Sequence, residues 1–432
     1  MSGRNNRRQG SGRGSQPLKS GQTKFSKWSM DFCANAAGKG TALGLKAIGP
    51  INSFQDILLP QNKSGDAKCE LAAEQVVNLI EGWRYASAAI NAFLNHSNEA
   101  ATHFAYYAEL RAAQSLFAWS GIRLKQNNHY YLDAALVKKT DALDPPTHEA
   151  AWALWPNWVA RQDVQALLAN GIKLHPAVSL DRVVKAINFT RPAQHLRGWG
   201  ADLVRISADR AARNKASYDP TWTKVPLTRM GMDQAELVRE LWKLFFADGA
   251  GLAFDAALCS HFVENFVLSE LQKIDPGKRT ASAADLLRGK IAKHISENTG
   301  APEGDILRRL DPTQHIKRPF ALAGTATANA ENVICRSFLL LRMGLLALKS
   351  NFAIPGMSNH AEEWIKHWLD HAGIWSTSSG VDIMDVEIDY QDAITNLNIA
   401  MPLPASLWTG NNQNHIYRVA RPDACVAWSL IS

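Results

Sequence analysis

The feature that most constrains the fold is a long run of helical periodicity between Lys68 and Ser120. Apolar residues recur there every three or four positions, beginning with Leu71, Val76, Leu79, Ile80 and Trp83. The polar sequence Asn-His-Ser-Asn at 95–98 interrupts this run and suits a turn with an N-cap. Gly121 suits a left-handed C-cap. Two long helices joined by so short a turn predict an antiparallel helical hairpin.

Similar helical patterns recur through most of the 432 residues. We therefore predict a mainly α protein, a multi-helix bundle built in two helical halves. An N-terminal helical domain is assigned to 67–217 and a C-terminal helical domain to 231–373. The Pro- and Trp-containing stretch Tyr218–Met230 is interpreted as the connector between them.

The last part of the chain, 374–432, has a different pattern and predicts a small mixed or β region. Apolar and acidic residues alternate in VDIMDVEIDY at 381–390, which is the period of a strand. Two further short strands are predicted at Ile416–Val419 and Ala424–Leu430. A small β or irregular segment is therefore expected to follow the helical halves.

Positive charge is concentrated at the start of the chain. Seven of the 47 basic residues lie within 1–30, which contains no acidic residue: Arg4, Arg7, Arg8, Arg13, Lys19, Lys24 and Lys27. The remaining 40 basic residues are balanced by 40 acidic ones, so the net charge of +7 belongs to this tail and the body is formally neutral. A Gly-, Ser- and Arg-rich tail predicts a disordered basic segment. These seven cations are the candidate contacts to nucleic-acid phosphates.

Residues 31–66, rich in Gly, Asn and Pro, predict an irregular arm that packs on the body. Its GKGT at 38–41 lacks the spacing of a phosphate-binding loop. The five scattered cysteines contain no Cys-x-x-Cys pair, which favours a reducing compartment such as the cytoplasm. No apolar run is long enough to cross a bilayer, so we expect no membrane association.

Arg123 and His129 follow the predicted helix that ends near Gly121, and they are the candidate catalytic residues. Metal-independent RNA cleavage needs a base for the 2′-hydroxyl proton, which a histidine can supply. It also needs a cation at the phosphate, which suits the planar fork of arginine. The spacing resembles the R-x4–6-H signature of HEPN-domain ribonucleases over roughly residues 68–165, although Leu124 stands where the family commonly has Asn.

That resemblance implies a helical endoribonuclease in which His129 acts as general base and Arg123 stabilises the transition state. It also implies a homodimer, because HEPN sites are commonly formed across two subunits. The preceding helix is similar in its residue pattern to helical abortive-infection-type proteins of bacterial antiviral defence. That similarity would place the enzyme in such a system. No cofactor is expected.

Two other polar patterns could hold a metal. His360, Glu363, His367 and His371 form one stripe if 359–372 is helical, although the favoured interpretation is the polar flank of an amphipathic helix. The acidic residues Asp385, Glu387 and Asp389 would share one strand face, which favours a solvated edge strand. We therefore assign no metal site.

Two arginines, Arg336 and Arg342, interrupt an apolar segment that predicts a central core helix. Buried cations need partners. Glu109, on a small-residue face of the second hairpin helix, is interpreted as a buried carboxylate paired with a basic group of another helix.

Two functional hypotheses remain beside the ribonuclease. One is a helical scaffold that docks a partner protein while its basic arm touches nucleic acid. The other is a non-catalytic RNA-binding structural protein of nucleoprotein or capsid type. All three make nucleic acid a partner, with RNA expected and DNA left open, and the ribonuclease and the nucleoprotein also predict self-association into a dimer or larger homo-oligomer.

Overall fold

The computed structural model describes residues 20–58, 65–126, 128–187, 206–218, 232–249, 251–274, 277, 280–374, 382–399 and 418–431. Helices dominate these residues, which confirms the mainly α fold class. The helices of the first half are α1 (Ser20–Asn35), α2 (Lys39–Ile48), α3 (Gln55–Leu58), α4 (Ala67–Leu94), α5 (Asn98–Trp119), α6 (Thr147–Val159), α7 (Gln162–Gly171), α8 (Leu180–Ala186) and α9 (Ile206–Tyr218).

The remaining helices are α10 (Met232–Leu244), α11 (Ala253–Gln272), α12 (Ala281–Thr299), α13 (Glu303–Leu310), α14 (Arg318–Ala323), α15 (Ala330–Phe352), α16 (Ser358–His371), α17 (Ile383–Ile399) and α18 (Cys425–Ile431). The strands are short. β1 (Ile122–Arg123), β2 (Tyr130–Leu132) and β3 (Lys138–Lys139) form one antiparallel sheet, and β4 (Lys173–His175) pairs with β5 (Val178–Ser179).

The α4–α5 pair is the predicted antiparallel hairpin. The Ser115 hydroxyl donates to the Gln75 carbonyl at 2.7 Å, and nearer the turn Arg111 Nε lies 3.1 Å from a Glu81 carboxylate oxygen. Contacts therefore move forward on α4 as they move backward on α5, which is the antiparallel arrangement.

The predicted core helix is confirmed as α15, which is buried along nearly its whole length and packs against both helices of the hairpin. One contiguous hydrophobic core runs from Trp28 to Leu430 and includes side chains from both predicted halves. The division into two halves stays a prediction, and residues 219–230 of the predicted connector lie outside the described residues. None of the helices that the structure describes is long and apolar enough to cross a bilayer.

The prediction of an irregular arm at 31–66 is wrong in its described parts, because α2 is a regular helix packed on the start of α4. Gly44 makes this close approach feasible: a Cβ added there would lie 2.0 Å from the Lys68 carbonyl oxygen. The glycines of this segment were interpreted as a sign of irregular backbone. Gly44 instead allows two helices to pack closely.

The prediction of a disordered tail over 1–30 is wrong from Ser20 onward. Residues 20–30 belong to α1, whose Trp28 is buried with only 2% of its surface exposed. The Arg161 guanidinium donates to the Cys33 carbonyl and, at 3.0 Å, to the Ala36 carbonyl near the end of α1. A cation on these carbonyls stabilises the C-terminus of the helix.

The predicted β segment at the C-terminus is also wrong: residues 383–399 form α17 and residues 425–431 form α18. In α17 the buried side chains recur at helical spacing, and Tyr390 stacks on Trp242 at 4.8 Å. Ile388, whose position fits the strand pattern, stays 55% exposed. Packing against α10 and α18 thus favours a helix, although the local alternation of apolar and acidic residues fits a strand.

Candidate functional site

A small β ribbon after α5 carries both predicted catalytic residues. Gly121 ends the hairpin with a φ of +83°, a conformation that favours glycine, and leads directly into β1. Arg123 of β1 is paired across the ribbon with Tyr130 of β2, and His129 immediately precedes β2. The sequence therefore places the two residues close along the backbone.

Arg123 is buried, with 4% of its surface exposed, and its guanidinium faces α4. Its Nη2 donates to a Glu74 carboxylate oxygen at 2.9 Å and its Nε to the same oxygen at 3.2 Å. Glu70 lies 3.7 Å from Nη1 and accepts a hydrogen bond from the Tyr130 hydroxyl at 2.8 Å. Lys125 reaches Glu74 at 4.0 Å. This network fully engages the positive charge of Arg123 with carboxylates.

His129 is also buried, with 3% of its surface exposed, but its partners belong to other elements. Its Nε2 lies 2.7 Å from the Pro145 carbonyl oxygen, so Nε2 must carry the proton that is donated. An Asp144 carboxylate oxygen is 3.4 Å away, and the ring packs near Trp28 of α1 at 6.2 Å. Its Nδ1 is buried and has no hydrogen-bond partner among the residues that the structure describes.

The structure does not bring the two side chains to one open cleft. Tyr130, which pairs with Arg123, shares its side of the ribbon, and the neighbouring His129 is directed to the opposite side. Each group is buried against its own partners, α4 for the arginine and the Asp144–Pro145 loop for the histidine. The catalytic pair stays a prediction from sequence spacing, and this arrangement gives it no support.

The sequence analysis missed Glu70 and Glu74 as the partners of Arg123. Their spacing of four on α4 was the available signal, because residues i and i+4 share one helix face. The same face continues to Asn78, whose amide donates to Glu74 at 2.9 Å. A carboxylate stripe beside an apolar helix face predicts an incoming cation, but nothing local identifies which one.

The candidate phosphate-binding residues divide into two groups. Lys24 and Lys27 are exposed on α1. The other five, Arg4, Arg7, Arg8, Arg13 and Lys19, lie outside the described residues. The described part of the basic segment is therefore a helix anchored to the body with its lysines facing solvent.

The histidine stripe lies on α16, as predicted, but it does not form a chelating cluster. His360 Nδ1 is 3.6 Å from a Glu363 oxygen, whereas His371 packs its ring on Phe54 at 5.0 Å. Among the described residues no group of three or more His, Cys, Asp or Glu side chains has the geometry to hold a metal ion.

The acidic pattern near 385 falls on α17 and is therefore not an edge strand. Glu387 is buried and accepts a hydrogen bond from the Ala247 backbone at 2.7 Å, while Asp385 and Asp389 are exposed. Glu387 thus joins α17 to the end of α10.

Arg336 of α15 forms the most deeply buried charge cluster of the described residues. Two carboxylates share its guanidinium: Asp209 at 2.9 Å from Nε, and Glu109 at 3.7 Å. Both carboxylates are 1% exposed. Burial, followed by repulsion from Asp209, raises the pKa of Glu109 well above its ordinary value, and Arg336 offsets this only in part. The predicted interhelical partner of Glu109 is thus Arg336.

An open pocket of about 430 Å³ lies where the N-termini of α5 and α15 approach α9. Its charged lining residues are Glu99, Lys215 and Glu331. The two glutamates lie in the first turns of the two helices, so they already complement the helix dipoles. This balance gives the pocket no preference for an anion.

No family model, no curated protein and no solved structure matches this chain.

Proposed function

We propose that this protein is a nucleic-acid-associated structural protein, of nucleoprotein or capsid type, whose N-terminal residues gather RNA phosphates. The observation that carries the proposal is the separation of charge: the net positive charge lies within 1–30, and the rest of the chain is balanced. Helix α1 joins this segment to the core through Trp28 and Phe32 while Lys24 and Lys27 face solvent. A cationic segment fixed to a formally neutral, packed body suits sequence-independent phosphate binding.

Salt dependence of RNA binding tests the proposal. Each phosphate contact to single-stranded nucleic acid contributes about 0.7 to the slope of log affinity against log salt. Replacing Arg4, Arg7, Arg8 and Arg13 together by Gln should therefore lower that slope by about 3 and weaken binding at low salt. A matched control replaces four exposed basic residues of the body by Gln: Arg182, Lys290, Lys293 and Arg308.

If the control weakens binding as much as the four-arginine variant does, or if neither variant weakens binding, residues 1–30 are not the phosphate-binding element. Light scattering of the chain with and without RNA tests the proposed self-association, which predicts particles larger than one copy.

The same samples, incubated in EDTA, test the competing ribonuclease, because that function predicts fragments with 2′,3′-cyclic phosphate ends. Intact RNA is the expected result.

A further inference from the structure

Arg213 of α9 is a buried guanidinium for which the described residues provide no carboxylate partner. Only 8% of its surface is exposed, and within the described parts of the chain its Nε has no hydrogen-bond partner. The other deeply buried arginines, Arg123, Arg336 and Arg342, are each held by one or two carboxylates. A buried charge without a counter-ion is costly. Binding of an anion that the described residues do not supply would therefore stabilise Arg213.

The charges and imidazoles around Arg213 include His103, His148 and Arg210, together with the carboxylates Glu149 and Glu109. Burial and then the charge of Arg213 lower the pKa of His103 on α5. Burial, then Arg213 and Arg210, lower the pKa of His148 on α6, and only Glu149 acts in the opposite direction. Glu149 is itself engaged by Arg210 at 2.9 Å. An incoming anion beside Arg213 would also favour protonation of both imidazoles.

Aromatic rings form one wall of the same site. The Arg213 guanidinium lies 5.2 Å from the ring centre of Tyr106 and 5.6 Å from that of Tyr107. Tyr85 of α4 stacks on Tyr107 at 5.4 Å with an interplanar angle of 26°. The His103 ring lies 5.0 Å from Tyr107, and its Nδ1 is 2.7 Å from the Ser217 hydroxyl. Tyr85 and Tyr107 are only partly buried, so ring surface remains accessible.

A cation without a counter-ion beside partly exposed, stacked rings matches the chemistry of a nucleotide in a single strand. The phosphate needs the cations, and the unpaired base needs a flat apolar surface on which to stack. A duplex would present the phosphate but keep its bases paired, and inorganic phosphate would leave the rings unused.

We propose that Arg213, with His103, binds a phosphate of single-stranded RNA, and that the adjacent base stacks on the Tyr85–Tyr107 pair. This inference rests on the proposed function, because it adds a base-contacting site on the body to the phosphate contacts of the N-terminal segment. With this site the body would bind single strands specifically, whereas the N-terminal segment alone would bind any polyanion.

Binding of the full chain to three probes tests the inference: a single-stranded RNA oligonucleotide, an abasic ribose-phosphate strand of equal length, and the corresponding RNA duplex. The standard strand is expected to bind about tenfold or more tightly than the abasic one, and this preference should persist at elevated salt. Equal affinity for the standard and abasic strands would overturn the inference. That result leaves the proposed function standing if binding still depends on Arg4, Arg7, Arg8 and Arg13.

Variants locate the base contact. Tyr85→Leu retains an apolar side chain but removes a ring, and it should abolish most of the preference for the standard strand. Arg213→Met should weaken binding of both strands. Lys138→Met is a matched control, because Lys138 lies 4.3 Å from the ring centre of Tyr130 at an exposed site and its loss removes the same charge.

Thermal unfolding checks that each variant is folded. Photo-crosslinking of a 4-thiouridine strand to the unmodified chain provides a second measurement that requires no substitution. Adducts are expected in the peptides that contain Tyr85 or Tyr107. Adducts confined to other peptides, or retention of base preference by a folded Tyr85→Leu chain, would contradict the site.

Discussion

Arg342 of α15 forms a two-point ion pair with Asp255 of α11: Nε and Nη2 lie 2.9 and 2.7 Å from the two carboxylate oxygens. Both side chains are buried. The pair joins the central helix to a helix that lies 87 residues away in the sequence. Two parallel hydrogen bonds fix the relative orientation of the groups as well as their distance.

Removing one member of this pair should destabilise the protein strongly. Arg342→Met leaves the Asp255 carboxylate buried without its cation, and we expect the free energy of unfolding to fall by about 3–5 kcal/mol. Adding Asp255→Leu should recover most of the loss, because no uncompensated charge remains. Urea denaturation of the single and double variants measures the coupling, and strictly additive losses would show that the pair makes no specific contribution.

Arg123 should behave as a structural residue. Arg123→Met leaves the buried Glu74 carboxylate with only the half-exposed Lys125, 4.0 Å away, so a loss of up to about 3–5 kcal/mol in unfolding free energy is expected. Combining it with Glu74→Gln should restore part of this loss, as measured by the thermal midpoint of each variant. RNA cleavage in EDTA that Arg123→Met abolishes without lowering the midpoint would instead support the catalytic prediction.

Gly44 should tolerate no side chain. A Cβ at this position meets the Lys68 carbonyl oxygen at 2.0 Å, so Gly44→Ala must displace α2 from α4. We expect a loss of about 1–3 kcal/mol. Gly289→Ala is the matched control: it lies within α12, where an added Cβ would meet no described atom within 4 Å apart from its own stretch of helix. The substitution should stabilise the helix by about 0.5–1 kcal/mol. Equal effects in denaturant titrations would contradict the close approach of α2 and α4.

Glu109 should make stability depend on pH. Because its folded pKa is raised, the native state retains a proton that the unfolded chain releases, and the unfolding free energy falls as pH rises above the ordinary glutamate pKa. The slope can reach about 1.4 kcal/mol per pH unit until the raised pKa is passed. Glu109→Gln removes this slope, so the variant should gain stability relative to the unmodified chain as pH rises above the ordinary glutamate pKa. Parallel pH profiles for the two proteins in urea denaturation would contradict the assignment.

The long helices could be predicted from the sequence because their evidence is local. Apolar spacing and the turn at 95–98 identify α4 and α5, and the apolar run around Arg336 identifies α15. The errors fall where local patterns conflict with packing. The alternation at 381–390 fits a strand, but burial of Tyr390 against Trp242 selects a helix.

The sequence by itself determined the helical character of the protein, its core helix and the confinement of net positive charge to the first thirty residues, because composition and periodicity are properties of single segments. Only the tertiary structure decided the surroundings of each charged group. Arg123 meets Glu74 across 49 residues, and Arg213 reaches the tyrosines of α5 from α9. Such distant pairings depend on how helices pack. Packing therefore determines whether a buried cation has a carboxylate partner or is left to bind another anion.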